Sequence, residues 1–550
     1  EMGRTAEERR GEGNGKARRV AACLWLLLTL PLASCAQKQT VMVPMADGVK
    51  LATDVWLPSG DGPWPVALAR TPYNKDGIKG EAANGAGMAL VVQDVRGRGA
   101  SEGEARPFFA DGWGAHKDGL ETAEWIVSQP WCNGKIATFG GSAVGITQYL
   151  LAGNDPPGLV ACYPVVACAS LYHSAFFEGG AFRKCLVEGW YKGAQWPDYA
   201  MEEPRGHPVY DDLWRSVDLT TRAASVKVPM MHVGGWHDIF TQGTIDAFTA
   251  LQARGGEGAK GRQHLVMGPW AHGIKQTKVG ELQYPDNAKW PEGAPDEGQW
   301  LQTFLLEDGT AADQLPTVWY YVAGAAGEEG APGNEWRTAD AWPPPSTATK
   351  LYLAADGRLT GDLPPAGELQ YAYDPANPVP TKGGRNLTIP AGPFDQREVE
   401  SRPDVLVFSS EPLAEALEAT GRVTVRLFAA SSAKDTDFTA KLTDVYPDGR
   451  SMLVADGVLR ARFREGFDRE TLLEPGRAYE FAIDLQSTSL IFNQGHRIRV
   501  AVSSSNAPRF DPNPNTGDPW RANDRTAVAE QTVKVGGDAA SCIVLPVVRP

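Results

Sequence analysis

The pattern of apolar and polar positions changes character once along this chain, near residue 315. Before that point, short apolar runs alternate with segments whose apolar residues recur at helical spacing. Gln39 to Pro58 reads as a β-hairpin turned at Asp47-Gly48, with Val41 and Val43 alternating with Met42 and Pro44. Pro65 to Arg70 and Met88 to Asp94 follow as strands, the second apolar enough for a parallel sheet covered on both faces. Trp113 to Ser128 has helical spacing in Ala115, Leu120, Ala123, Trp125 and Ile126. Ile136 to Phe139, Leu159 to Val166, Val228 to Val233 and His264 to Met267 read as strands, and Ile146 to Ala152 and Ile239 to Ala253 as helices. This alternation predicts an α/β domain over residues 36–167 and 226–314. Residues 168–225 break it. They are rich in aromatics, among them Tyr172, Trp190, Tyr191 and Trp196, and read as an inserted helical cap placed to roof a site on the sheet.

After Leu315-Pro316 the helical spacing stops and period-two alternation takes over. Val423, Val425 and Leu427 alternate with Arg422, Thr424 and Arg426, and Leu459, Ala461 and Phe463 with Arg460, Arg462 and Arg464. Tyr479 to Leu485 and Ile498 to Val502 repeat the pattern, with turns such as Pro447-Asp448-Gly449 between strands. Residues 315–550 are therefore expected to form a β-sandwich that packs on the first domain and walls one side of its cleft.

Composition narrows the function. A net charge of −14 argues against a nucleic-acid partner, because phosphate binding needs a basic footprint. At the N-terminus, Lys16, Arg18 and Arg19 precede an apolar run from Val20 to Leu30, too short for a comfortable bilayer span. Leu32-Ala33-Ser34-Cys35 then resembles a bacterial lipobox. Residues 1–35 are expected to be a lipoprotein signal peptide, with export to the cell envelope, on the periplasmic or outer-membrane side, and a membrane anchor through lipidated Cys35. A plain signal peptide cut near Ala36 is the alternative. Cys132, Cys162, Cys168, Cys185 and Cys542 remain in the mature body, without a C-x-x-C pair. A disulfide between Cys168 and Cys185 is left open, as is the oligomeric state.

The chemistry gathers at strand ends. Ser142 lies in Gly140-Gly141-Ser142-Ala143-Val144-Gly145, a tight turn between strand and helix that lifts a hydroxyl above the sheet edge. Asp238 follows the strand ending at Val233, and His272 follows the strand ending at Met267. Ligands and substrates of open α/β sheets bind at such carboxyl ends, and the order Ser, Asp, His is that of α/β-hydrolases. A serine hydroxyl needs a base to take its proton; an imidazole does this near neutrality, and a carboxylate orients the imidazole. Taken singly, Asp238 reads as a helix cap and His272 as a loop residue. A metal site among His232, His237, His264 and His272 is disfavoured, since two lie inside predicted strands and no zinc spacing occurs. The Gly-x-Gly at Gly97 to Gly99 opens no helix directly, so no nucleotide is expected. No cofactor and no metal are expected.

Five ordered segments carry a family resemblance: Thr71-Pro72-Tyr73, Gln93-Asp94-Val95-Arg96-Gly97-Arg98-Gly99, Gly140 to Gly145, Gly234-Gly235-Trp236-His237-Asp238 and Gly268-Pro269-Trp270-Ala271-His272. The chain resembles the CocE/NonD hydrolases, the relatives of cocaine esterase and X-Pro dipeptidyl-peptidase that include α-amino-acid ester hydrolases. The resemblance implies a serine hydrolase: an α/β-hydrolase domain, a helical cap and a C-terminal jelly roll. It implies that Tyr73 Oη and the Ala143 amide form the oxyanion hole. Two departures stand out. The family commonly has tyrosine where Ala143 stands, and the cap is short; both suggest a more open acyl site. Phe176, Phe177 and Phe240, with Trp236 and Trp270 beside the triad, are expected to contact substrate. Ile239, Phe240, Thr241 and Gln242 after Asp238 carry no charge, so uncharged acyl groups are expected to be preferred, with Glu178 the one acid that could hold an ammonium. The expected reaction is cleavage of a small-molecule carboxylic ester or amide through an acyl-enzyme. An X-Pro dipeptidyl-peptidase is the alternative enzyme, and a catalytically dead binding protein using its jelly roll the alternative of another class.

Overall fold

The computed structural model describes residues 37–549 apart from 81, 82 and 84. The expected signal peptide and Cys35 lie outside the described residues. Ten strands build the first sheet: β1 (Gln37–Pro44), β2 (Lys50–Leu57), β3 (Trp64–Thr71), β4 (Ala89–Asp94), β5 (Cys132–Gly141), β6 (Leu159–Val165), β7 (Met230–Gly235), β8 (Gln263–Gly268), β9 (Val318–Val322) and β10 (Glu335–Ala339). They lie in the order β1-β2-β4-β3-β5-β6-β7-β8-β9-β10. The interior pairs from β4 to β9 are parallel, and antiparallel pairs close both edges. The hairpin at Asp47-Gly48 has the expected register, with Val41 opposite Thr53.

Five helices matter for the site: α1 (Asp118–Val127), α2 (Ala143–Ala152), α3 (Lys184–Gly193), α4 (Thr241–Arg254) and α5 (Glu297–Leu305). Side-chain alternation sorts them onto two faces. Cys162 of β6 and Met230 of β7 pack with Ile146 and Leu150 of α2, while their chain neighbours Ala161, Tyr163 and Met231 pack with Trp300, Leu301 and Phe304 of α5. The sheet is thus buried on both sides, in keeping with the burial of β4 at every position. Asp296 caps α5 through the Gln299 amide, in a full capping box.

Residues 168–225 fold as short helices, a π-turn at Tyr172–Phe176 and a two-residue hairpin, Phe177–Glu178 with Ala181–Phe182. Beyond β10, antiparallel strands form two layers. One layer centres on the long strand Leu417–Ser431, flanked by Tyr479–Phe492, Ala529–Val535 and Cys542–Val548. The other holds Leu406–Ser409, Arg497–Ser503, Asp437–Val445 and Ser451–Arg460. Val423, Val425 and Leu427 meet Phe438, Ala440, Leu442, Val500 and Val502 in the core between them.

Three expectations shift. The sandwich does not begin at residue 315: β9 and β10 extend the hydrolase sheet to Ala339, because Val318-Trp-Tyr-Tyr-Val322 is buried at every position and pairs in parallel with β8. The alternation from Leu459 to Arg464 is strand only to Arg460 and then a 3₁₀ turn over Ala461–Phe463. The first helix starts at Asp118, since Trp113 is spent on the cap, its indole N–H donating to Arg215 O at 2.8 Å. The five cysteines of the described residues are all unpaired, Cys168 and Cys185 included. Among the described residues no helix is long and apolar enough to cross a bilayer.

Candidate active site

The turn between β5 and α2 holds Ser142 at φ 58° and ψ −124°, a backbone region that L-residues occupy only under constraint. Its amide donates to Val165 O at 2.8 Å, which ties the turn to the end of β6. Gly140 has φ 117°, and a Cβ there would lie 2.5 Å from Val144 Cγ1. Gly145 faces β6, where a Cβ would lie 2.7 Å from Ala167 Cβ. The glycine one place later than usual is therefore the one at the helix–sheet contact, and Val144 fits because Gly140 has no side chain. Ala143 is the first residue of α2, so its amide has no partner within the helix.

Asp238 follows β7 and is fully buried. Its Oδ2 accepts from the Phe240 amide at 2.9 Å, and its Oδ1 lies 2.6 Å from His272 Nδ1. A carboxylate only accepts, so Nδ1 carries the imidazole proton and Nε2 is the free acceptor. His272 Nε2 lies 2.8 Å from Ser142 Oγ. The three residues expected from strand ends thus form one hydrogen-bonded line. The remaining histidines serve elsewhere: His232 lies between Tyr149 Oη at 2.7 Å and Gln263 Oε1 at 3.1 Å, and His264 Nδ1 is 2.9 Å from Pro316 O.

Tyr73 meets the cavity at Ser142 through Trp190, one of that cavity's lining residues. The Tyr73 ring is 47% exposed, and its hydroxyl accepts from Trp190 Nε1 at 2.9 Å. Trp190 and Ser142 line one cavity. Ala143 and Ile146 of α2 form its floor, Phe176, Leu186, Val187 and Tyr191 of the cap its roof, and Phe108, Phe240 and Leu387 its sides. No carboxylate lines it among the described residues. Leu387 comes from the segment after β10, so that part of the chain walls the cleft as expected.

Phe176 and Phe240 are in the cavity; Phe177, Trp236 and Trp270 are not. Phe177 follows Phe176 in a short strand and turns the other way, stacked on Tyr172 at 4.8 Å and edge-on to Trp520 at 5.7 Å. Trp236 donates to Tyr321 O at 2.7 Å and stacks on Trp342, and Trp270 donates to Ala288 O at 2.8 Å and stacks on Trp290. Both indoles brace the loops that hold Asp238 and His272 from behind. Glu178 is also absent from the cavity. It is buried, with Oε2 at 3.0 Å from Arg509 Nη2 and 3.6 Å from Arg183 Nε. Phe108, Leu186, Val187, Trp190, Tyr191 and Leu387 also line the pocket, beyond the residues the sequence points to. They come from separate segments with no common spacing, and only the aromatic density of the cap hinted at them.

The family model for X-Pro dipeptidyl-peptidase (S15 family) matches residues 47–274, and that for the X-Pro dipeptidyl-peptidase C-terminal non-catalytic domain matches residues 310–544. A cocaine esterase of Rhodococcus sp. (strain MB1 Bresler) is 35% identical, over 92% of this chain and 98% of that protein. An α-amino acid ester hydrolase superposes with a TM-score of 0.78 at 28% identity, over 95% of this chain and 98% of the other. An aminopeptidase from a marine sediment archaeon, Thaumarchaeota archaeon, superposes with the same TM-score at 27% identity, over 94% and 98%.

Proposed function

The chain belongs to the CocE/NonD, X-Pro dipeptidyl-peptidase-like family, and on that footing we propose which residues carry its chemistry and which acyl groups it takes. It is a serine hydrolase acting on esters or peptides. Ser142 Oγ attacks the substrate carbonyl while His272 Nε2 takes its proton. Asp238 keeps the imidazole proton on Nδ1 and stabilises the imidazolium that forms. The tetrahedral oxyanion is held by Tyr73 Oη–H and the Ala143 amide, with the N-terminal end of α2 behind it. His272 returns the proton to the leaving alcohol or amine, and an acyl group remains on Ser142. Water, deprotonated by the same imidazole, then frees the acid. The hydrogen-bonded line Asp238–His272–Ser142 supports this order. It also favours an enzyme over a binding protein with a dead site. A fluorophosphonate probe labels Ser142, and Ser142→Ala loses both the label and nearly all turnover, on the order of 10⁶ in kcat. Turnover of more than a few per cent in that variant would reject the assignment.

The acyl group is uncharged and apolar or aromatic. The observation that carries this is the lining of the cavity at Ser142, without a carboxylate among the described residues. Glu178, the acid that could have matched an ammonium, is engaged by Arg509 and Arg183 instead. An α-ammonium brought here would be desolvated without a counter-charge, at a cost of several kcal/mol. An apolar acyl group gains roughly 25 cal/mol for each Å² it buries. The same lining weighs against X-Pro dipeptides, whose free amino terminus would enter this space. The test compares kcat/KM for the phenylacetyl and phenylglycyl esters of one alcohol at a pH where the amine is protonated. The phenylacetyl ester is expected to be the better substrate, and the reverse order would reject the reading.

The protein is exported and held at the cell envelope by lipid on Cys35. The motif Leu32-Ala33-Ser34-Cys35 after an apolar run supports this. Each buried methylene adds about 0.8 kcal/mol to anchoring, so a multiply acylated cysteine holds firmly. Cys35→Ala is expected to move the protein from the envelope to the soluble fraction; sedimentation with the envelope after salt washing would count against the anchor.

A further inference from the structure

We infer that Trp190 is a positioning residue for the oxyanion hole: its indole N–H holds the Tyr73 phenol so that the phenolic proton points at the reacting carbonyl oxygen. The inference rests on the proposed role of Tyr73 as oxyanion donor. An indole nitrogen donates and cannot accept, so in the 2.9 Å contact between Trp190 Nε1 and Tyr73 Oη the phenol oxygen is the acceptor. The phenol's own proton is then unspent and turned away from the indole. Accepting one hydrogen bond also makes a hydroxyl a better donor in the next.

Packing does not hold Tyr73 by itself. With 47% of its surface exposed, the ring has little around it to select one rotamer. Its backbone, by contrast, is tightly set. The Tyr73 amide donates to Thr71 Oγ1 at 3.1 Å, and Asn74, at φ 125°, accepts from the Asp76 amide at 2.9 Å. What remains free is the side chain, and the indole is the partner that fixes its end.

Trp190 is itself well placed for this. It stacks on Phe108 with centroids 5.5 Å apart and planes 13° from parallel. Arg98 fastens the helix that carries it to the loop that carries Tyr73. Its Nε donates to Pro72 O at 2.9 Å, its Nη1 to Gln195 O at 3.0 Å and its Nη2 to Ala194 O, just past the end of α3. The guanidinium also lies over the Trp196 ring at 4.3 Å. One arginine thus keeps Pro72-Tyr73 and the end of the cap helix in register. The cap then completes the oxyanion hole as well as roofing the acyl cavity.

A double-mutant cycle tests this, with p-nitrophenyl acetate as substrate because a two-carbon acyl group gains little from the cavity wall. Trp190→Phe keeps a ring against Phe108 and removes the N–H. It is expected to lower kcat about 3- to 10-fold, the scale of one neutral hydrogen bond, with KM within about twofold. In the Tyr73→Phe background the same change is expected to leave kcat where it is. If Trp190 only walls the cavity, its effect falls on KM, or recurs undiminished in the Tyr73→Phe background, and either result overturns the inference. Tyr73→Phe alone is the separate check on the underlying reading: a loss of about 10²- to 10³-fold supports the oxyanion role, and an unchanged kcat removes it. Should Trp190→Phe fail to fold, Arg98→Met replaces it, with the same expected loss in the parent and the same silence in Tyr73→Phe.

Discussion

Two histidines near the site are neutral for reasons of burial, and this makes stability depend on pH. His232 accepts from Tyr149 Oη and donates to Gln263 Oε1, and burial pushes its pKa down to about 3 from the model-peptide 6.5. His237 is driven down to about 3 by burial and then by the positive Arg385. Unfolding returns both to water, where they bind protons more readily. Their contribution is therefore complete above pH 6.5 and lost as pH falls toward 3, at up to about 1.4 kcal/mol per unit for each. Buried carboxyls pushed upward, such as Asp94 and Asp111, act in the opposite sense, so a difference experiment is needed. His232→Gln is expected to be less stable than the parent at pH 7 and to close part of that gap by pH 4.5, as judged by urea midpoints. A gap that is constant with pH would contradict this. At this scale the triad was legible because each member follows a strand end, and strand ends can be read from apolar runs. Pocket residues were not. Phe176 and Phe177 are neighbours in sequence, yet Phe176 closes the π-turn and Phe177 opens a short strand, and their rings part. Trp236 and Trp270 flank triad residues and still point into the scaffold.

At the scale of elements, the turn between β5 and α2 depends on two glycines whose absent side chains leave room for different neighbours. Gly145→Ala would set a methyl 2.7 Å from Ala167 Cβ and 3.1 Å from Val165 O, both held by the chain of β6 and the loop after it. The helix must shift, and Ser142 moves with it. A loss of about 1–3 kcal/mol in stability is expected, with a larger fractional loss in kcat, because small displacements of a nucleophile are costly. Gly193→Ala is the control: it ends α3 with nothing within 4 Å of the new methyl, and melting temperature and turnover are expected to hold or rise slightly. Equal effects of the two substitutions would show that helix packing does not set the nucleophile. Most strands of both domains were legible as apolar runs or alternation. The boundary after residue 314 misled because β9 follows a proline and a loss of helical spacing, signals that a sheet continuing through its own edge shares with a new domain. The run to Arg464 misled because alternation says nothing of the hydrogen-bond partner that a strand must also find.

Over the whole molecule, a buried charge cluster joins three parts of the chain that lie far apart in sequence. Glu178 of the cap meets Arg509 at 3.0 Å, Arg509 meets Asp456 at 2.6 Å, and Arg385 reaches Asp456 at 3.6 Å and the carbonyl of Trp236 at 3.3 Å. The sandwich also grips α4, where Gln242 Oε1 accepts from both the amide and hydroxyl of Ser487, at 3.0 and 2.9 Å. Arg509→Met would leave two buried carboxylates with only their more distant partners, Arg183 and Arg385, each at 3.6 Å, and a loss of about 3–5 kcal/mol is expected. Because the parts share this cluster, tryptophan fluorescence and far-ultraviolet circular dichroism are expected to change together in urea, in parent and variant alike. Separate transitions would mean that the sandwich and the hydrolase part unfold on their own. None of these pairings has a local signal, since Glu178 and Arg509 are 331 positions apart.

The roof over Ser142 is fastened along two edges, to the hydrolase loops by Arg98 and to the sandwich by Glu178 and Arg509. A roof held this way does not swing. Guests must then enter and leave through flexing of single side chains such as the exposed Leu387, and their dwell time follows their girth more than any hinge. On this plan a single exchange among the wall residues alters which guests fit, while the architecture above the nucleophile stays as it is.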